Sequence, residues 1–401
     1  MAATPSSPEP VYLDNAATTR PLAKVVKAMA EVHLTHFGNP SSVHQFAHGP
    51  KKLLEDARDF LRGTLSAAQI VFTSGGTEAD LLGITGAARM RSPGRVLAAA
   101  ADHPAVLAQG DLLHKTNHRL VLVPTTPHGD MDPETFFEHL GTDVRVVAIL
   151  YGHNELGTLP DLRELVSLTR KVSPNAHIHV DLVQAYGKVP FDLDQMDVDS
   201  AAVSAHKLHG PRGVGFLALS SKARVAALQE GGGQEGGLRG GTENVAGAVG
   251  LQIAAEAAHT TMAETAAHSE MLAERLLGAI LEHNPKATRL GHRERRLPHI
   301  LSARVPGVTA ATLLEHMSAK GVAFATGAAC HGIGHKKEEP ESKNHVLEAI
   351  GLYPRAAREV MRFSFCRHTT TDEVDRAASI FTECCCDLAK KAPKRQRAKN
   401  P

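Results

Sequence analysis

The chain reads as an α/β protein: a mainly parallel seven-stranded sheet in a large domain, joined to a smaller α+β domain. Three observations predict this. Short apolar runs alternate with amphipathic stretches through the first two-thirds of the 401 residues, the pattern of strands each followed by a covering helix. After about residue 260 that alternation gives way to helices and isolated short runs. The composition, 42% hydrophobic and 22% charged, belongs to an ordinary globular chain able to bury a sizeable core.

The strand-like runs are Gln69–Thr73, Arg95–Ala99, Leu120–Val123, Val144–Leu150, His177–Val180, Ser200–Ser204 and Gly215–Leu219. Their length and apolar content predict strands. A helix follows the first of them over Ala79–Met90, opened by the Gly-rich turn Ser74-Gly75-Gly76-Thr77. One long helix is predicted from about Val245 to about Ile280, rich in alanine at Ala254, Ala255, Ala257 and Ala258. Arg293–Pro306, Ala310–Lys320 and a last helix near Thr371–Lys390 complete the smaller unit. No internal repeat is evident.

Lys plus Arg (44) balance Asp plus Glu (43), so no global field selects nucleic acid or a membrane surface. No run approaches the roughly 20 apolar residues of a membrane-spanning helix. The N-terminal stretch has no apolar targeting core and no arginine before Arg20, which predicts a cytoplasmic protein. The basic tail, residues 390–401, has no apolar periodicity and is expected to be disordered; a nuclear-import signal and a nucleic-acid contact are its alternatives to a solvated terminus. Five cysteines, Cys330, Cys366, Cys384, Cys385 and Cys386, form no disulfide framework and no C-x-x-C pair. Consecutive residues on a helix project about 100° apart, so the last three cannot share a metal, and none is expected.

Chemistry concentrates around Lys207, in Ser204-Ala205-His206-Lys207-Leu208-His209-Gly210. A lysine among small and hydroxyl-bearing residues, preceded by the acid Asp181 at the end of the His177–Val180 run, is what pyridoxal 5'-phosphate (PLP) requires: an amine for a Schiff base and a carboxylate for the pyridine nitrogen. The Gly75-Gly76-Thr77 turn at a helix start suits the phosphate, whereas it does not match the nucleotide motif G-x-x-x-x-G-K-[ST]. Gln184 can bond the ring hydroxyl, and Asn154 can reach the same region.

Taken in chain order, Leu13–Thr19, His36–Ser42, Thr73–Glu78, Asn154–Gly157, Ser204–Pro211, Arg239–Asn244 and Gly327-Ala328-Ala329-Cys330-His331 resemble the successive motifs of the cysteine desulfurase and selenocysteine lyase family over roughly residues 11–385. The resemblance implies a fold-type-I PLP-dependent enzyme and a homodimer, with residues 20–260 as the large domain and residues 1–19 with 261–389 as the small one. It implies that Lys207 carries PLP, that Asp181 pairs with the pyridinium, and that His103 stacks on the ring. Gly76, Thr77, Ser204 and His206 take the phosphate, and Thr242 reaches the phosphate of the neighbouring subunit. Arg362 clamps the substrate carboxylate and Asn15 lies near the substrate.

By the same resemblance, the Cys330 thiolate takes selenium or sulfur from the substrate β-carbon and alanine is released. Gly-Ala-Ala-Cys-His is more similar to selenocysteine lyases than to the Gly-Ser-Ala-Cys-Thr of housekeeping desulfurases, so L-selenocysteine is the expected substrate and a cysteine desulfurase the alternative. A selenium or sulfur acceptor protein is an expected partner. A transaminase or decarboxylase on the same scaffold has no use for Cys330, and a non-catalytic scaffold has none for Lys207, Asp181 and Cys330 together. The spacer from Gly332 to His345 is longer than the family's and is expected to be a flexible loop carrying Cys330.

Overall fold

A computed structural model describes residues 9–327 and 344–391. Cys330, the spacer as far as Ser342 and Lys343, and the tail beyond Lys391 lie outside the described residues.

The described residues form thirteen strands: β1 (Val11–Tyr12), β2 (Gln69–Thr73), β3 (Gly94–Ala99), β4 (His118–Val123), β5 (Val144–Leu150), β6 (His177–Asp181), β7 (Ser200–Ser204), β8 (Gly215–Leu219), β9 (Thr288–Arg289), β10 (Ile300–Arg304), β11 (Val322–Ala323), β12 (Ala325–Thr326) and β13 (Val360–Ser364). Seven of them form one sheet in the order β2-β8-β7-β6-β5-β3-β4. Only β8 runs antiparallel to its neighbours. The seven predicted runs are these seven strands, with ends moved by at most two residues.

The two faces of this sheet carry separate cores, which makes a three-layer stack. Ile70, Val147, Ile178, Val180, Val203 and Phe216 point to one side. Val71, Val96, Val146, Ala202 and Leu217 point to the other. Strands covered on both sides lose their polar face, and β6, β7 and β8 are buried at every position. That explains why they read as apolar runs. The exception is β6, whose His177, His179 and Asp181 alternate with Ile178 and Val180.

Two helix predictions are corrected. The stretch predicted as Ala79–Met90 begins at Gly76 and carries a π turn at Leu82–Gly86 between α-helical pieces Gly76–Leu81 and Ala87–Arg89. The single long helix is two, Val245–Thr260 and Met262–His283, broken at Thr261. Thr260 Oγ1 donates to the Glu256 carbonyl at 2.8 Å and Thr261 Oγ1 to the Ala257 carbonyl at 3.1 Å. Two successive side chains competing for the helix carbonyls bend and stop it, which an alanine-rich periodicity conceals.

A second core gathers Val11 and Leu13 with Leu272, Leu276, Leu301, Phe363 and Phe381. Over it lies the antiparallel sheet β12-β13-β10-β9, and the rings of Phe324 and Phe363 stack at 4.8 Å. The N-terminal segment joins this unit because β1 pairs in parallel with β11 and Asp14 bridges to Ser364. The same segment then runs to the main sheet, where the Thr19 N–H donates to the His206 carbonyl at 2.9 Å. Among the described residues no helix is long and apolar enough to cross a membrane.

Candidate active site

In a parallel sheet the residues just past the carboxyl ends of the strands line the natural crevice. Here β5, β6 and β7 end at Leu150, Asp181 and Ser204, and β2 ends just before the Gly75–Gly76 turn. Those residues open onto a cavity of about 380 Å³ that also admits Thr77, His103, Asn154, Gln184, His206, Lys207 and Arg362. Ten of the expected site residues, Gly76, Thr77, His103, Asn154, Asp181, Gln184, Ser204, His206, Lys207 and Arg362, therefore meet in one place, although 286 positions separate Gly76 from Arg362.

Asp181 is buried at the sheet end, where its Oδ1 accepts from the Val183 N–H at 2.8 Å. Burial pushes its carboxyl up to about 6, against the pull of that N–H and of Lys207. A carboxyl so placed lacks a full charge partner, and a protonated pyridine nitrogen is the kind of group that supplies one. Lys207 donates from Nζ to the Ala16 and Ala17 carbonyls at 2.7 and 2.8 Å. Gln184 donates from Nε2 to the same Ala16 carbonyl at 2.8 Å, so the N-terminal segment holds both.

His103 caps the short helix Pro104–Leu107: its Nδ1 accepts from the Ala105 N–H at 3.1 Å. With Nδ1 as acceptor the ring proton sits on Nε2. Burial, then Lys207 and His345, push His103 down to about 4, so at neutral pH the ring is an uncharged plane. Burial and Lys207 do the same to His206, also to about 4.

The helix start at Gly76 is braced from outside. Glu78 accepts from the Ser74 N–H at 2.6 Å and from Arg239 Nε at 3.0 Å, which ties the Arg239–Asn244 motif to the Gly-rich turn. A Cβ on Gly76 would lie 2.5 Å from Val183 Cγ2, so glycine permits this close approach of turn and sheet end. The donor set fits PLP: an amine, a buried carboxyl, an uncharged ring and a cradle of N–H groups with Ser204 beside it.

Three residues stand differently. Asn15 is buried but lines a neighbouring cavity, and its Nδ2 donates to the Tyr12 and Ser364 carbonyls at 3.1 and 2.9 Å. Thr242 is exposed on the turn before Val245 and does not line this cavity. Cys330 lies outside the described residues. Among the described residues no group of three His, Cys, Asp or Glu side chains could hold a metal ion.

Sequence reasoning missed Asp14, Asp80 and Asp102. Asp14 pairs with Arg362 at 2.7 Å. Asp80 lines the cavity floor, and its Oδ1 lies 3.1 Å from His179 Nε2. Burial, with Asp181 and Asp102 nearby, drives Asp80 well above the usual carboxylate range. Asp80 stands four residues after Gly76, on the same helix face, which is the signal that could have found it. Asp102 carried no comparable sign beyond its place next to His103.

A model of the class-V aminotransferases matches residues 11–377. The cysteine desulfurase NifS of Azotobacter vinelandii is 36% identical over 370 residues, 91% of this chain and 90% of that protein. A solved structure of a NifS-like protein superposes with a TM-score of 0.86 at 31% identity, covering 94% of this chain and all of that one. A structure of SspA in complex with cysteine superposes with a TM-score of 0.74 at 26% identity, over 90% and 99% of the two chains.

Proposed function

Since the chain belongs to the class-V aminotransferase family, we propose that it is a cysteine desulfurase, moving the sulfur of L-cysteine onto Cys330 and leaving L-alanine. The fold is that of the fold-type-I PLP enzymes and the cofactor is PLP. The observation that carries the proposal is the meeting of Lys207, Asp181 and Arg362 in one cavity, in a chain whose relatives include named cysteine desulfurases at 32–37% identity.

PLP, when bound, withdraws electrons from the substrate Cα through its ring. Asp181, pushed up to about 6 and so still ionised at neutral pH, would keep the ring nitrogen protonated through its negative charge. Arg362 binds the substrate carboxylate, giving up Asp14 or sharing with it. Its Nε is buried with no partner among the described residues, so the guanidinium has a donor to spare. Lys207 moves the proton at Cα. The Cys330 thiolate attacks the substrate sulfur; the carbon–sulfur bond breaks, its electrons stay on Cβ, and Cβ takes a proton to become the methyl of alanine. Cys330 is left as a persulfide, from which an acceptor protein is loaded.

Selenium chemistry is favoured by one observation, the Gly327-Ala328-Ala329-Cys330-His331 motif. A selenol is far more acidic than a thiol, so L-selenocysteine arrives as an anion and Cys330 takes selenium by the same route. Alanine production from L-cysteine and L-selenocysteine, measured side by side on wild type and Cys330→Ala, tests both. Substantial release from cysteine that Cys330→Ala abolishes supports the desulfurase. Release from selenocysteine alone replaces it with a selenocysteine lyase, and full activity in Cys330→Ala defeats both.

We also propose a homodimer in which Thr242 reaches the partner's cavity. Ser41 Oγ donates to Glu243 at 3.2 Å, beside an exposed apolar group of Phe37, Val43 and Phe46, which are 72%, 98% and 58% exposed. Such a patch marks an interface. Sedimentation at micromolar concentration giving only monomer defeats it.

A further inference from the structure

A second cavity, of about 50 Å³, has one lining residue in common with the first, Lys207. It has room for roughly three waters or one small ion. Its walls come from the turn at Gly187–Lys188, the paired helices on either side of Thr261, Pro298–His299 and Phe365–Arg367. Among the described residues no aspartate or glutamate lines it.

Two of its lining side chains carry a buried polar atom without a partner among the described residues, and a third is an ammonium. Lys188 is half-buried, and its Nζ lies 3.1 Å from His299 Nε2 and 3.5 Å from Gln184 Oε1. With the ammonium donating to Nε2, the His299 proton sits on Nδ1. That Nδ1 is buried, on a residue 4% exposed, and has no partner among the described residues. Ser269 is 1% exposed and its Oγ has no partner either. Buried donors are as a rule satisfied, so two orphans and an ammonium around one space specify an acceptor with negative charge. Met262, Ala266 and Phe365 give the wall an apolar part beside the polar Thr265 and Arg367, which favours an ion that sheds water easily.

We propose that this cavity binds one small, polarisable, singly charged anion, of the halide or hydrosulfide kind, held by the Lys188 ammonium, His299 Nδ1–H and the Ser269 hydroxyl against the flank of Lys207. The site is independent of which chalcogen the enzyme removes. Its occupation couples to the reaction because negative charge beside Lys207 favours the protonated form of its nitrogen, in the Schiff base and in the free amine alike.

Proton linkage follows. Burial and the charge of Lys207 hold Lys188 down to about 7, with the Cys366 thiol pulling the other way; His206, His209 and His299 also face it. The anion selects the ammonium form, so above pH 7 binding takes up a proton and weakens about tenfold per pH unit.

The test is titration of the PLP-loaded enzyme with sodium iodide at constant ionic strength set with sodium gluconate, followed by calorimetry and by the cofactor absorbance. The expected result is saturation at one iodide per chain, tighter than chloride, weakening above pH 7. Lys188→Met should weaken iodide at least tenfold and Ser269→Ala several-fold, whereas Arg362→Gln should leave it unchanged. Where Lys188→Met does not fold or load PLP, His299→Phe takes its place with the same expectation. A response that does not saturate, an affinity untouched by both Lys188→Met and Ser269→Ala, or one lost in Arg362→Gln overturns the proposal. Hydrosulfide competing with iodide identifies a reaction-derived ligand; competition by chloride alone leaves a halide site, within the same proposal.

Discussion

Arg362 Nη2 donates to Asp14 Oδ1 at 2.7 Å, while its Nη1 donates to the Asn154 carbonyl at 2.8 Å. One arginine thus joins β13, the N-terminal segment and the loop after β5 at the mouth of the cavity. A planar, fork-shaped donor suits a carboxylate in a way an ammonium does not. Arg362→Gln should raise KM for the amino-acid substrate about 30-fold, the equivalent of ~2 kcal/mol for a charge-assisted pair. Steady-state kinetics with the cofactor absorbance unchanged would check it; an unaltered KM would remove Arg362 from substrate binding.

Asp102 offers a test by pH. Burial, then the nearby Asp181, push its carboxyl up to about 8; its Oδ1 accepts from the His103 N–H at 2.7 Å, and its Oδ2 has no partner among the described residues. A carboxyl with a folded value above its unfolded value of about 3.9 binds its proton more tightly in the native state. The native state therefore loses stability as pH rises from about 4 to 8. Asp102→Asn, which keeps the Oδ1 acceptor and cannot ionise, should gain in melting temperature over wild type, by more at pH 8 than at pH 5. Parallel melting curves across that range would defeat the assignment.

The π turn predicts a packing effect. A Cβ on Gly83 would lie 2.3 Å from His179 Nδ1, and His179 is fixed between Asp80 at 3.1 Å and Ser200 Oγ at 2.8 Å. Gly83→Ala must displace the imidazole from one of these partners. Overpacking of this kind costs about 1–3 kcal/mol, to be read as a lower denaturation midpoint. Unchanged stability would show that the turn relaxes without moving His179.

Thiol chemistry should divide along one helix. Cys384 and Cys385 are buried and Cys386 is exposed. Burial pushes Cys385 up to about 12, and the thiolate is the nucleophile. In the native protein at pH 7, iodoacetamide should modify Cys386 at least roughly 100-fold faster than Cys385. Peptide mapping after timed quenching measures it, and equal rates would mean that the helix opens on the labelling timescale.

The amino-acid sequence by itself determined the architecture. Strands covered on both faces are apolar at most positions, so most strands of the main sheet show in the chain as short hydrophobic runs, β6 with its alternating His177, His179 and Asp181 apart. It also named the chemistry, because an amine, an acid and a Gly-rich turn at strand ends are local features that survive being read one segment at a time. Local signals do not carry the competition between neighbours. The break at Thr261 comes from hydroxyls taking helix carbonyls, and the π turn is tied to a contact with β6, which is not a sheet neighbour of β2.

Which groups face one another only the tertiary structure decided. Asp14 lies 348 residues from Arg362, and the two meet because β1 joins the far end of the chain through β11. Asp80 and Asp102 become perturbed carboxyls only once the fold has taken them out of water beside Asp181. Lys188 and His299, 111 residues apart, become a donor pair around a second cavity in the same way. Burial and charge proximity are properties of the assembled molecule; a sequence lists the groups, and packing sets their proton affinities and partners.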